Sequence, residues 1–316
     1  MNKVTCLSVL VPVYNEEECI KLLHERLSKV LDQLNCQSEI LFVNDGSKDN
    51  TILMLRELQL IDLRVSYLDL SRNYGKETAM SAGIDYIVGD ALVIIDADLQ
   101  DPPELIPKML EGIEEGYDDV YAQRTSRDGE TFIKKYTSKQ YYRWLKKMSD
   151  IPVIEDTGDF RMFSKKAING LRMLKENERN MKGLFSYIGF NKKPILYQRD
   201  ARIAGSTKWN YPKLIGLAIK GLTAFSTTPL RFVSIMGILV SLCAFLFLAY
   251  TFVKSIIWGN PVAGYPSLIS IMLFLGGIQL LALGIIGEYI GIIYSETKKR
   301  PLYYINEYKE KESENL

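Results

Sequence analysis

Short apolar runs alternate with amphipathic stretches through the first part of the chain. Leu7–Val13, Ile40–Val43, Val65–Leu70, Ala91–Ile95 and Asp119–Ala122 predict strands, and the stretches Glu16–Leu34, Asn50–Leu60, Lys76–Val88 and Pro103–Glu115 between them predict helices. Alternation of this kind implies βαβ units, an α/β fold and a mostly parallel sheet. Ligands of such sheets bind beyond the carboxyl ends of the strands, where strand order reverses. Asp45, Asp96 and Asp98 each stand just past a predicted strand, so their carboxylates are expected at one crevice. From Phe132 the pattern becomes a basic, aromatic helix to Met148. A loop carrying Asp156–Arg161 follows, then a mixed segment to Arg202.

The last third is patterned differently. No charged residue occurs over the 22 positions Phe232–Val253 or the 33 positions Ser255–Gly287. Twenty-two helical residues rise about 33 Å, enough to cross a hydrocarbon core of about 30 Å. Gly259-Asn260-Pro261 separates the runs, which predicts a two-span hairpin within 231–297. Lys213 and Lys220 alternate with apolar residues over 210–230, the pattern of an amphipathic helix in the membrane interface. Lys208, Lys213, Lys220 and Arg231 precede the first span and Lys298-Lys299-Arg300 follow the second. The positive-inside rule therefore places residues 1–209, the tail 298–316 and both termini in the cytoplasm, with the chain multi-pass in the cell membrane. Glycines Gly276, Gly277, Gly284, Gly287 and Gly291 permit close helix packing, within the hairpin or in a homo-oligomer.

Composition narrows the function. Thirty-nine Lys+Arg against 38 Asp+Glu leave a net charge of +1, which disfavours nucleic acid as a partner. The single histidine, His24, excludes a His-based triad or zinc site and is expected on a helix surface. Cys6, Cys19, Cys36 and Cys243 have no metal-ligand spacing and are expected as free thiols. Neither a G-x-G-x-x-G fingerprint nor a phosphate-binding G-x-x-x-x-G-K-[ST] loop is present.

Two strings carry candidate chemistry. In Asp96-Ala97-Asp98-Leu99-Gln100-Asp101-Pro102-Pro103-Glu104, carboxylates at i and i+2 past a strand suit a hard divalent cation; turn and capping roles are the alternative. In Asn44–Thr51, Asp45 is a candidate acceptor for a base or ribose, while Gly46 suits a turn and Asp49 or Asn50 a helix cap.

With Val11–Glu17 and Ser71–Lys76 these strings, in this order, resemble inverting family 2 glycosyltransferases of the GT-A fold. Asp156–Arg161, Arg202, Lys208-Trp209 and the two C-terminal spans resemble the polyprenyl-phosphate branch, which includes bactoprenol glucosyltransferases and dolichol-phosphate mannose synthases. The resemblance implies that Pro12, Tyr14, Glu16, Asp45, Lys76 and Asp96 embrace the nucleotide sugar, with Arg202 and Lys208 closing over its diphosphate. Asp98 and Gln100 match the ligands of Mg2+ or Mn2+. Arg124, Lys134 and Ser138 match the grip on the acceptor phosphate, Lys134 standing where an Arg is frequent. Asp159 matches the catalytic-base position, with Asp156 the alternative, and Asp98 joins it as a catalytic residue. Gln140-Tyr141-Tyr142-Arg143-Trp144 also fits a Q-x-x-R-W signature of processive synthases, but it precedes Asp156 and is read as a chance match.

The implied reaction is inverting transfer of a hexose from a UDP-sugar, UDP-glucose or a relative, to undecaprenyl phosphate at the cytoplasmic membrane face. The alternatives are transfer to another lipid or glycan acceptor, or a non-catalytic, membrane-anchored nucleotide-sugar-binding scaffold.

Overall fold

The computed structural model describes residues 3–125, 157–177, 179–197, 228–258 and 264–311. Five strands, β1 (Cys6–Val13), β2 (Gln37–Asn44), β3 (Val65–Leu70), β4 (Ala91–Ile94) and β5 (Asp119–Arg124), alternate with α1 (Ile20–Leu31), α2 (Thr51–Ile61), α3 (Lys76–Tyr86) and α4 (Ile106–Glu114). These elements follow the sequence pattern closely. Buried parallel strands need apolar side chains on both faces, so they read as continuous apolar runs. The predicted first helix is the main exception. It starts at Ile20 and not at Glu16; before it, Asn15 holds a left-handed φ of 54° and the Glu16 carbonyl accepts the Cys19 and Ile20 N–H groups in a turn that leads into the helix.

The second half of the sheet departs from the sequence pattern. Of the expected loop Asp156–Arg161, residues 157–161 belong to strand β6 (Thr157–Ser164), and the mixed segment after it forms α5 (Lys165–Met173), α6 (Met181–Tyr187) and β7 (Lys192–Tyr197). After two long helices, α7 (Thr228–Trp258) and α8 (Tyr265–Thr297), the chain adds strand β8 (Ile305–Lys309). Within the expected tail 298–316, Ile305–Lys309 pairs antiparallel with β3. Among the described residues one eight-stranded sheet results, in the order β7-β5-β6-β4-β1-β2-β3-β8. Strands β1 to β4 are mutually parallel, while β6 runs antiparallel between β4 and β5. Strand order reverses at β1, which lies between β2 and β4. A core of fully buried side chains, among them Leu23, Leu27, Phe42, Leu55 and Phe160, fills the space against the helices.

Helices α7 and α8 belong to a second compact unit, and residues 300–311 return to the first. The stretch Phe274–Thr297 of α8 has a mean hydropathy of 1.7 and is long and apolar enough to cross a membrane; of the two runs expected to span, it alone meets that measure among the described residues. A Cβ added at Gly276, Gly277, Gly284, Gly287 or Gly291 meets nothing within 4 Å, so the described residues make no close approach at these glycines. His24 lies on α1 with Nε2 2.9 Å from Asp62 Oδ2, and both side chains are only 12% exposed, so it is more buried than the expected surface position. Cys6, Cys19, Cys36 and Cys243 are all free thiols.

Candidate active site at the carboxyl ends of the strands

The turns that leave β1, β2 and β3 are tied to one another before any ligand is considered. Asn15 donates its backbone N–H to Ser47 Oγ at 2.9 Å and accepts from the Lys48 N–H at 2.8 Å, while Glu16 N–H donates to Thr51 Oγ1 at 3.0 Å. Asp45 is 3% exposed, and its two carboxylate oxygens accept the backbone N–H groups of Tyr74 at 2.7 Å and Gly75 at 2.8 Å. Burial pushes the Asp45 pKa up, partly offset by those two amides and Arg72. Its carboxylate therefore braces the Ser71–Lys76 loop. Gly46 is required beside it: φ is +62°, and a Cβ would stand 2.4 Å from the Arg72 carbonyl carbon.

That bracing places Lys76, the first residue of α3. Its Nζ lies 2.6 Å from Asp96 Oδ1 and 2.5 Å from Asp159 Oδ2. Register explains the meeting. Ile94 of β4 pairs with Arg161 of β6, and the strands are antiparallel. Two residues onward along β4 and two back along β6 bring Asp96 and Asp159 level. On β1, Leu10 pairs with Ile94, so Pro12 stands at the same level on the other side. Pro12, Tyr14 and Glu16 are half-buried along this edge. Burial works against the charge of Lys76, but Asp96 and Asp159 outweigh it and raise the ammonium pKa. For Asp159 burial raises the pKa, yet Lys76, Lys182 and Arg161 prevail and hold it below the usual carboxylate range.

The loop after β4 alternates. Ala97 and Leu99 are buried at 4% and 1%, whereas Asp96, Asp98 and Gln100 are half-buried. Leu99 holds a left-handed φ of 59°, a conformation that a bulky residue keeps only where its surroundings impose it. Gln100 N–H donates to Asp98 Oδ1 at 3.2 Å, which tightens the turn. Carboxylate and amide oxygens at alternate positions, with Asp159 Oδ1 nearby, buried and without a hydrogen-bond partner among the described residues, are a donor set that fits a hard divalent cation. Among the described residues no three Asp, Glu, His or Cys side chains are gathered tightly enough to hold a metal by themselves. Asp98 and Gln100 would have to share the task with a ligand's own oxygens, as is usual for Mg2+.

Arg124 ends β5, with Nε buried and unpartnered among the described residues. Burial lowers its pKa, but Tyr197, Asp101 and Asp96 overcome this and raise it. Tyr197 of β7 donates to Asp101 Oδ1 at 2.6 Å; Asp101 is 2% exposed, so it fastens the β4 loop to β7. Lys134, Ser138, Asp156, Arg202, Lys208 and the 140–144 motif lie outside the described residues, as does nearly all of 210–230.

Sequence reasoning passes over Glu77 and Lys182. Glu77 Oε2 accepts the Met181 N–H at 2.7 Å and so fixes the start of α6, which carries Lys182 toward Asp159. Burial, then Asp159, raise the Glu77 pKa. Neither residue belongs to a motif, and no local signal marks them.

Comparison with known proteins gives the family. Residues 8–172 match Glycosyl transferase family 2, and residues 228–293 match the GtrB C-terminal hairpin. The chain is 49% identical over 298 residues to an uncharacterized glycosyltransferase of Bacillus subtilis (strain 168), covering 94% of this chain and 92% of that protein. It is 42% identical over 299 residues to the bactoprenol glucosyl transferase of Shigella phage SfX, covering 95% and 98% respectively. It is also 42% identical over 303 residues to the prophage bactoprenol glucosyl transferase homolog of Escherichia coli (strain K12), covering 96% and 99%. The family 2 match takes in Lys76, Asp96, Asp98 and Asp159 together, and the chain belongs to glycosyl transferase family 2.

Proposed function

We propose that the protein transfers a hexose from a UDP-sugar to the phosphate of a polyprenyl lipid, with inversion at the anomeric carbon, at the cytoplasmic membrane face. The observation that carries this reading is the Asp96–Lys76–Asp159 bridge at the strand-order reversal, in a chain whose relatives include named bactoprenol glucosyl transferases.

Each residue then has a task. Pro12, Tyr14 and Glu16 line the nucleoside side of the edge, and Asp45 acts through the Tyr74-Gly75 amides by fixing Lys76. Asp98 and Gln100 would hold Mg2+ or Mn2+, whose chemistry is to neutralise the diphosphate leaving group. Arg124, with Lys134 and Ser138, meets the acceptor phosphate, and Arg202 and Lys208 meet the diphosphate. A phosphate monoester has a second pKa near 6, so at neutral pH the acceptor is already mostly dianionic. A carboxylate held below its usual range is a weak base. Asp159 accordingly orients Lys76 and the acceptor, and does not need to remove a proton.

A lipid acceptor explains the hairpin. Helices α7 and α8, of 31 and 33 residues, each exceed the length needed for a hydrocarbon core of about 30 Å. That strands β1–β7 and β8 share one sheet supports an even number of crossings, and so two spans within 231–297. The basic residues flanking the spans favour the cytoplasmic side for both termini. Residues 1–209 together with the returning 300–311 form the catalytic part, and 210–230 an interfacial helix.

The test is incubation of the purified full-length protein in detergent with undecaprenyl phosphate, Mn2+ and labelled nucleotide sugars. Lipid-extractable label from one donor, lost in Asp98→Ala, is expected. No label from any donor, in protein that binds UDP, would overturn the lipid acceptor in favour of another glycan acceptor or a scaffold.

A further inference from the structure

The strand that follows the membrane hairpin reaches the site. Strand β8 pairs with β3 through Tyr67↔Lys309, Leu68↔Tyr308, Asp69↔Glu307 and Leu70↔Ile305. The register shifts between Asp69 and Leu70, which leaves Asn306 as the extra residue of a bulge. Bulges re-aim a side chain, and here Asn306 Nδ2 donates to Asp69 Oδ2 at 3.0 Å. Asp69 is 8% exposed, and its other oxygen accepts Asn44 Nδ2 at 2.7 Å. Asn44 Oδ1 in turn accepts the Ser47 N–H at 3.3 Å, in the turn that holds Asn15. One step outside the strand, the Tyr304 carbonyl accepts the Ser71 N–H at 2.9 Å, at the first residue of the loop ending in Lys76.

Covering a sheet edge needs only the ladder. It does not require an exposed Asn306 tied to the buried Asp69–Asn44 pair, or a backbone bond to a loop beyond the strand. The tail is also fastened along its length. Glu307 accepts from Arg56 Nη2 at 2.5 Å and Tyr67 Oη at 2.7 Å, Tyr303 Oη donates to Asp85 Oδ2 at 3.1 Å, and Tyr308 packs edge-on to Tyr86 at 4.9 Å.

We infer that the post-hairpin strand, through Asn306 and the Tyr304 carbonyl, is a positioning element that sets the Asn44–Ser47 and Ser71–Lys76 loops and thereby Lys76. The membrane hairpin is continuous with β8 through Lys298–Tyr304, so the chain that anchors the enzyme also completes its donor site. The activity arm of this inference rests on the proposed function; the exchange arm below does not.

The experiment uses the full-length protein in detergent, with Asn306→Asp and the swap Asn306→Asp/Asp69→Asn. The single variant sets two carboxylates against each other. In the swap the amide now at position 69 accepts from Asn44 and donates to the carboxylate now at position 306, so the relay is rebuilt with its members exchanged. Amide hydrogen exchange is read at Tyr74 and Gly75, the N–H groups held by Asp45, and the KM for the nucleotide sugar is read beside kcat. Asn306→Asp is expected to speed exchange at these two amides and to raise KM on the order of tenfold with a smaller change in kcat, and the swap to restore both. Unchanged exchange and KM in Asn306→Asp overturn the inference, as does a folded swap that fails to restore the exchange rates and KM. Where exchange rises evenly across β1–β4, the fold itself has loosened and Asn306→Ala, which adds no charge, is read in its place by the same two criteria. Absence of transfer by the unaltered protein would sink the proposed function while the exchange result still decides the role of the tail.

Discussion

Strand β6 carries two charged residues two positions apart that live in opposite environments. Arg161 is 2% exposed and pairs with Asp119, itself fully buried, at 3.1 Å, while Lys192 stands 3.6 Å from the same oxygen. The guanidinium is packed over Phe185 at 4.7 Å, with Tyr121 and Phe163 at 5.7 and 5.9 Å. Around Asp159 the partner Lys76 keeps 41% of its side chain exposed, and Asp96 keeps 24%. Burial dominates at Asp119 and raises its pKa despite Arg161 and Lys192; at Asp159 the cations prevail and lower it. Both are acid–base clusters, yet one is sealed by aromatic rings and the other opens on solvent. A buried ion pair is weak evidence of function, and access is what separates a site from a brace.

Paired substitutions test that distinction. Asp159→Asn removes the charge that orients Lys76, and transfer is expected to fall about 100-fold with donor binding kept, read from kcat and from donor titration. Near-normal turnover would move the functional assignment elsewhere. Asp119→Ala leaves Arg161 without its main counter-charge. It is expected to destabilise the fold by about 3 kcal/mol and lower the melting temperature on the order of 10 °C, while transfer per folded molecule is unchanged. Loss of turnover without loss of stability would erase the contrast between the clusters. Gly46→Ala sits between them in kind. Its Cβ would press on the Arg72-Asn73 backbone and shift the loop that carries Lys76, so a loss of several-fold in kcat/KM is expected with a fall of about 1 kcal/mol in stability.

The same contrast explains what can be read in advance. Strands β1 to β4 are largely apolar runs, and Asp45 after β2 and Asp96 after β4 mark the edge at which chemistry gathers, so their sequence states both burial and site. Strand β6, TGDFRMFS, hides its alternation because Asp159 and Arg161 occupy inward positions that only tertiary partners make tolerable. Strand β8, INEYK, looks like a solvated tail because an edge strand need not be apolar; its Glu307 and Asn306 are satisfied by Arg56, Tyr67 and Asp69, far away in the chain. Asp45 is legible as a strand-end acid, but its bonds to the Tyr74 and Gly75 amides of the Ser71–Lys76 string are not, because only the fold brings the two loops together. The pairing of Lys76 with Asp96 and Asp159 depends on the antiparallel register of β4 and β6, and a sequence does not display register between strands it does not reveal.

The finest test concerns protons. Asp159 has a folded pKa below its unfolded value, so its contribution to stability is present above the usual carboxylate range and is lost as pH falls through the lowered value. Lys76 is raised, so its contribution is complete below the ordinary lysine range and is lost only as pH climbs through the higher folded value. Between about pH 5 and pH 10 Lys76 and Asp159 therefore each keep one protonation state, and neither of these two titrates near neutrality. The acceptor's phosphate does, with a second pKa near 6. The acid limb of the kcat/KM profile should then bend near pH 6 and stay there in Asp159→Asn, the variant lowering the whole curve without moving its bend. If Asp159 were the proton acceptor, replacing it would abolish the limb or displace it toward the pKa of another group. An unmoved bend, together with a sealed Asp119 whose removal leaves the profile untouched, would assign Asp159 to orientation and the reactive charge to the substrate.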